Sequence, residues 1–130
     1  MYVMHNKGVV LRCIDYRGRI VVFEKVNYDK HKRKHPELED NIYFPDRVIN
    51  ALQHPTYTIP GYKNNATCYY FEEYAINGII KYTKVVVHEQ SRLVNDEEVV
   101  CIKTTHKADH IQEIKYEDCE LTNHQGKDNE

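Results

Sequence analysis

His31 and His35 stand four residues apart, with Lys30, Lys32, Arg33 and Lys34 around them. On an unbroken helix, residues four apart share a face, so the two imidazoles would project together from a cationic patch. A histidine beside cations has its charged form disfavoured and can act as a base near neutral pH, and the patch itself attracts phosphates. Pro36 puts that stacking in question, because proline disfavours the α conformation of the residue before it. Two solvated histidines on a polar helix fit the same residues equally well.

A second set of candidates lies near the end of the strand-like runs. Strict alternation from Val99 puts Val100, Ile102, Thr104 and His106 on one face, and Val99, Cys101, Lys103 and Thr105 on the other. Thr104 and His106 would then extend an apolar inner face past the point where it turns polar, which is where a cleft often begins. The alternative is a threonine bonded to its neighbours and a surface histidine at a strand end. On the preceding run Tyr82, Lys84, Val86 and His88 lie opposite Lys81, Thr83, Val85 and Val87. Either lysine could meet a phosphate, although such lysines are commonly solvated.

Eight histidines raise the question of a metal, and His31/His35 and His106/His110 both have i, i+4 spacing. There is no H-E-x-x-H, and no carboxylate or cysteine is placed to complete a ligand set, so no metal or other cofactor is expected. A glycine-rich phosphate loop, a G-x-S-x-G elbow and a Cys-His nucleophile signature are also missing.

The elements that must position these groups read as follows. Val9 to Ile14 and Arg19 to Val26 are strand-like runs around Tyr16-Arg17-Gly18, a hairpin signal. Tyr28 to Lys34 is rich in helix formers, and Pro36 ends or restarts that helix. A second helix starts near Pro45, which suits a first turn, with Val48, Ile49 and Leu52 as its apolar face and His54-Pro55 as its stop. Tyr57 to Ile59, Thr67 to Tyr74, Ile79 to His88 and Val99 to Thr105 are β-branched and aromatic, and predict four strands. Asn77-Gly78 joins the second and third by a tight turn, and Glu89 to Glu98 reads as a polar connection. Ala108 to Tyr116 fits either a turn of helix or an edge strand.

With 130 residues, 41% hydrophobic and 29% charged, the chain fits one soluble domain, expected over 1–116, with an acidic, disordered tail over 117–130. No apolar run approaches the roughly 18 residues of a membrane span. His5, Asn6 and Lys7 interrupt any secretory h-region, so a cytoplasmic location without membrane association is expected. Cys13, Cys68, Cys101 and Cys119 are far apart and read as reduced core thiols. Residues 1–107 carry a net charge of +3 and residues 108–130 a net charge of −5. The body is mildly basic and the tail acidic.

The order helix, His-Pro-Glu, second helix and sheet, with Lys81-Tyr82-Thr83-Lys84-Val85-Val86-Val87 and Ile102-Lys103-Thr104-Thr105-His106, resembles a known family over about Val22 to His106. It is similar to the phage and toxin branch of the barnase, EndoU, colicin and RelE-like (BECR) nuclease superfamily. The resemblance implies an α+β fold of two short helices followed by a four-stranded antiparallel sheet, here with an extra N-terminal β-hairpin. It also implies metal-independent cleavage of RNA, transfer RNA included, by activation of the ribose 2′-OH. His35 matches the helix position, with His31 as its substitute. Thr104 matches the threonine of the final-strand motif, and His106 stands where an aromatic residue is common. Lys84 would join these catalytic groups, with Lys81, Lys32, Arg33 and Tyr82 holding substrate. The rival reading is a non-catalytic domain that keeps the fold and binds an antitoxin or other protein partner. For His35, Thr104 and His106 to form one site, the end of the first helix must lie over the inner face of the final strand.

Overall fold

The computed structural model describes residues 8–39, 44–62, 65–74, 78, 80–109 and 122–123. The elements run β1 (Val9–Ile14), β2 (Ile20–Glu24), α1 (Lys25–Lys32), a 3-10 turn (Pro36–Glu39), α2 (Asp46–Gln53), β3 (Tyr57–Tyr62), β4 (Ala66–Tyr74), β5 (Ile80–His88), β6 (Arg92–Val94), β7 (Glu97–Ala108) and β8 (Thr122–Asn123). Helix α2 begins one residue after Pro45, and its inner face is Val48, Ala51 and Leu52.

The expected four-stranded antiparallel sheet with a separate hairpin is not what forms. Eight strands make one mixed sheet, seven of them in the order β1-β2-β7-β5-β4-β3-β8, with β6 pairing β7 off that path. Three features account for the difference. The hairpin joins the sheet because β2 pairs in parallel with β7, Val21 opposite Val100 and Val22 opposite Cys101. Val21, Val22 and Phe23 are buried in succession, as an interior strand covered on both faces requires. The expected connection from Glu89 to Glu98 instead contains β6 and a tight turn, in which Asn95 and Asp96 have φ of 52° and 67° and so supply the two left-handed residues a two-residue hairpin needs. Finally, β8 adds to β3, with Tyr57 opposite Asn123 and Thr58 opposite Thr122. The rest of the expected tail, most of Ala108 to Tyr116, His110, Cys119 and Asn77 of the Asn-Gly turn lie outside the described residues.

One face of the sheet, the front, carries the main core. Leu11, Phe23, Tyr69, Val85, Val87, Val100 and Ile102 pack there against Leu38, Val48, Ala51 and Leu52. The back carries two smaller apolar patches, Ile59, Cys68, Tyr70 and Val86 in one and Val22, Val99 and Cys101 in the other.

The alternation expected along β7 breaks in the middle. Val87 faces Ile102, but the next residue back along β5, Val86, faces Thr104, so Lys103 is an extra, bulged residue. Residues directly opposite share a face. Ile102 therefore points to the front with Val87, whereas Thr104 and His106 point to the back with Val86 and Lys84. Thr105 takes the front position and is fully buried.

Helix α1 buries no residue completely, and no side chain caps its N-terminus. Its local support is the Lys25–Asp29 ion pair at 2.7 Å and the cations Lys30 and Lys32 in the last turn, which suit the negative end of the helix dipole. Tertiary bonds hold it. Tyr28 donates to the carbonyl of Leu38 at 2.9 Å, and Asn27 donates to the carbonyl of Ile102 on β7 at 3.4 Å. Just beyond, Glu37 accepts the N–H of Lys107 at 3.0 Å. Where β2 ends, α1 and the 3-10 turn take over the edge of β7.

A polar clasp ties the hairpin turn to the far strands. The Asp15 side chain is fully buried. It accepts the N–H groups of Arg17 and Arg19 at 3.0 and 2.9 Å and the Tyr69 hydroxyl at 2.7 Å. Arg19 in turn donates to Tyr69 and pairs with Glu89, which also accepts from Thr67. Burial and the nearby carboxylate push the Tyr69 hydroxyl well above its ordinary pKa, so it stays a donor. Asp15→Ala removes the acceptor these buried donors share, and should lower unfolding free energy by about 3–5 kcal/mol. The half-exposed Arg12–Glu97 pair should cost far less on Glu97→Gln. Chemical denaturation of the two variants checks this; equal losses would contradict it.

Candidate phosphate site

The same handover that docks α1 builds a cavity of about 500 Å³ between the helix C-terminus and the back of β7. Lys30, His31, Lys34 and His35 line it from the helix side, with Asn27 at its base, and Lys103, Thr104, His106 and His88 from the sheet. Four imidazoles and three ammonium groups face it; none of these lining residues is a carboxylate.

The helical hydrogen bonding runs past the end of α1. The N–H groups of Lys34 and His35 both bond to the carbonyl of His31, at 3.0 and 2.9 Å. The His31/His35 spacing thus keeps its helical geometry up to the residue before Pro36, and the rings stack with centroids 6.5 Å apart and planes 22° apart. His35 then stacks on His106, at 4.7 Å and 15°. At an effective dielectric of about 20, two unit charges that far apart repel by about 3–4 kcal/mol. The contact therefore works against a charged His106.

The surroundings reinforce this. Burial depresses the pKa of His31, and the charges of His35, Lys30, Lys34 and His106 depress it further. Burial also depresses His106, helped by His35 and Lys84 and opposed by the bond to the Lys107 carbonyl and by Glu37. His88 is lowered by burial and then by Lys103 and Arg92. The Nδ1 of His106 lies 2.8 Å from the Lys107 carbonyl, an acceptor only, so the proton of the neutral ring sits on Nδ1 and Nε2 keeps its lone pair.

His35, His31, Thr104 and His106 are brought together here, although not as the sequence reading required. The helix end flanks the edge of β7, and the bulge turns Thr104 and His106 onto the back face to meet it. Lys84 sits behind the cavity. It is buried opposite His106, with its ammonium 5.7 Å from the ring centre of Tyr70.

The other expected substrate-binding residues point elsewhere. Lys32 pairs with Asp29 and Glu39 at 3.4 and 3.5 Å and does not line the cavity. Arg33 is exposed at the C-cap of α1. Lys81 pairs with Asp109 at 2.7 Å, and Tyr82 packs edge-on against Tyr70. Three lining residues, His88, Lys103 and Asn27, were not among the sequence candidates. His88 was visible as the end of the Lys84 face, whereas no local signal announces the bulge that presents Lys103.

The stacked rings lie in nearly parallel planes, so their nitrogen lone pairs do not converge on one point. Among the described residues no group of three or more His, Cys, Asp or Glu could hold a metal ion. Nor is any described helix long and apolar enough to cross a membrane. Compared with protein-family models, curated proteins and solved structures, the chain matches none.

The depressed imidazoles couple stability to pH. Above the ordinary histidine value of 6.5 both folded and unfolded chains hold His31 and His106 neutral. As pH falls through it, the unfolded chain takes up protons that the folded cluster resists, so stability is lost. The denaturation midpoint should therefore drop from about pH 8 to about pH 5, and His106→Gln should flatten the drop. A wild-type midpoint that is level or rises on acidification would contradict the depressed values.

Proposed function

We propose that this cavity binds an RNA phosphodiester and cleaves it by attack of the ribose 2′-OH, without a metal. The observation that carries the reading is the stack of His31, His35 and His106 facing a cavity lined by lysines and, among the described residues, by no carboxylate. Because the fold departs from the one the family resemblance implies, the support comes from these side chains.

Such cleavage needs a base, an acid and donors for the charge that grows on phosphorus. His106 Nε2, with its free lone pair and lowered pKa, takes the proton of the 2′-OH. The 2′-oxygen bonds to phosphorus, the bond to the 5′-oxygen breaks, and His35 gives that oxygen its proton. The products are a 2′,3′-cyclic phosphate and a 5′-hydroxyl. Thr104 and the ammonium groups of Lys30, Lys34 and Lys103 serve the non-bridging oxygens. The reading puts the protein in the cytosol, where RNA is met.

The purified chain, incubated with total RNA or transfer RNA in EDTA, should yield fragments ending in 2′,3′-cyclic phosphate. His35→Ala and His106→Ala should each slow cleavage by roughly 10²-fold or more with little change in Tm, and the double variant should be little worse than the slower single one. Cleavage only with added divalent ion would contradict the mechanism. No cleavage, with tight binding of a protein partner, would point to the non-catalytic alternative.

A further inference from the structure

A second cavity, of about 410 Å³, adjoins the first and shares His88 with it. Its walls are Asn65, Gln90, Ser91 and Arg92, and Cys101 lies at its floor. It exists because the chain leaves the sheet after β5 and returns as β6, so that residues 89–91 stand away from β7. The wall is held in place from both sides. Asn65 adopts a left-handed φ of 58°, and its carbonyl accepts the N–H of Glu89 at 2.9 Å. Ser91 donates to Glu98 at 2.8 Å.

The two cavities differ in chemistry. The first is lined by ammonium and imidazole groups and suits an anion. Among the described residues of the second, the basic side chains are His88 and Arg92, and Arg92 is already paired with Glu24. What it presents to a ligand is the pair of exposed amides of Asn65 and Gln90, each a donor and an acceptor, above the floor at Cys101, which borders the apolar patch of Val22 and Val99. Paired donors and acceptors over an apolar floor match a flat, neutral ring with a hydrogen-bonding edge, and the volume falls within the range of about 300–1,000 Å³ usual for small-molecule sites.

Building on the RNA-cleavage reading, we propose that the second cavity is a nucleobase subsite, and that the substrate is single-stranded RNA whose scissile phosphate sits at the histidine stack while an adjacent base is read by Asn65 and Gln90. A base offers its pairing edge to side chains only when unpaired, which excludes duplex from this groove. His88 and Lys103 lie where the backbone passes from one cavity to the other.

The test uses the isotope-labelled full chain with inorganic phosphate, with 2′-O-methyl dinucleoside monophosphates, which cannot be cleaved, and with a short RNA duplex. Phosphate should shift the imidazole signals that face the first cavity, those of His31, His35, His106 and His88, and leave the side-chain amides of Asn65 and Gln90 unmoved. A dinucleotide should also shift the side-chain amides of Asn65 and Gln90, and the best dinucleotide should bind roughly 10-fold or more tightly than the worst. The double variant Asn65→Gly/Gln90→Ala, in which glycine keeps the left-handed backbone at position 65, should bind phosphate like wild type and lose that discrimination. If dinucleotides move only the histidines, or the double variant still discriminates among them, the base subsite is wrong and RNA cleavage is untouched. Duplex binding as tight as single strand overturns the substrate class. If phosphate and dinucleotides leave the histidines unmoved, the cleavage reading falls, and the subsite with it.

Discussion

Every backbone N–H and C=O of a buried strand must find a partner, and β7 has more edge than its neighbouring strand can serve. On one side β5 and β6 pair with it along most of its length, but on the other β2 pairs only at Val100 and Cys101. Beyond that point Asn27 and Glu37 take up the groups of Ile102 and Lys107. An exposed edge invites pairing with another chain, and covering it with a helix is one of the standard remedies. Here the remedy also sets the position of the helix end, which brings His35 into ring contact with His106 on β7, with His31 stacked on His35 in turn.

The bulge at Lys103 completes the arrangement. Without it, Thr104 and His106 would point into the front core with Ile102, among Val85, Val87 and Phe23, where two polar side chains would need buried partners. With it, Thr105 takes the front position and bonds its hydroxyl to the carbonyl of Lys84 at 2.8 Å, while the histidine turns to the cavity. Bulges recur beside active sites because one extra residue re-aims the side chains that follow. The electrostatic character of the cavity follows from the same placement. Burial and neighbouring charge disfavour the charged forms of His31 and His106 beside Lys30, Lys34 and Lys84, a repulsion that an anion in the cavity would offset.

How much of this was legible in the sequence depended on whether the signal was local. The β1–β2 hairpin, the end of the first helix region before Pro36, the start of α2 after Pro45, and β4 and β5 all carry their own turn residues and periodicity. The histidine pair was legible too, since i, i+4 spacing survives as long as the helix does. The parallel pairing of β2 was not, because the run from Ile20 to Phe23 already had a hairpin partner and nothing in it names a second. Strand β6 was hidden by the polarity of Glu89 to Glu98, in which only Arg92–Val94 is strand and Asn95-Asp96 does the turning. The bulge left no trace at all: Val99 to His106 reads as one uninterrupted alternation, and the slip exists only relative to β5.

On the proposed function, His35, Thr104 and His106, carried by a helix end and a bulged strand, act together on one phosphorus atom. The most direct measurement is a structure of the protein with a nucleoside vanadate, whose five-coordinate vanadium mimics the phosphorane. The vanadium should lie between the helix end and β7, with the imidazoles of His35 and His106 and the hydroxyl of Thr104 within hydrogen-bond reach of its oxygens. Vanadate seated elsewhere, or touching the lysines while the His35–His106 stack stays closed, would contradict it.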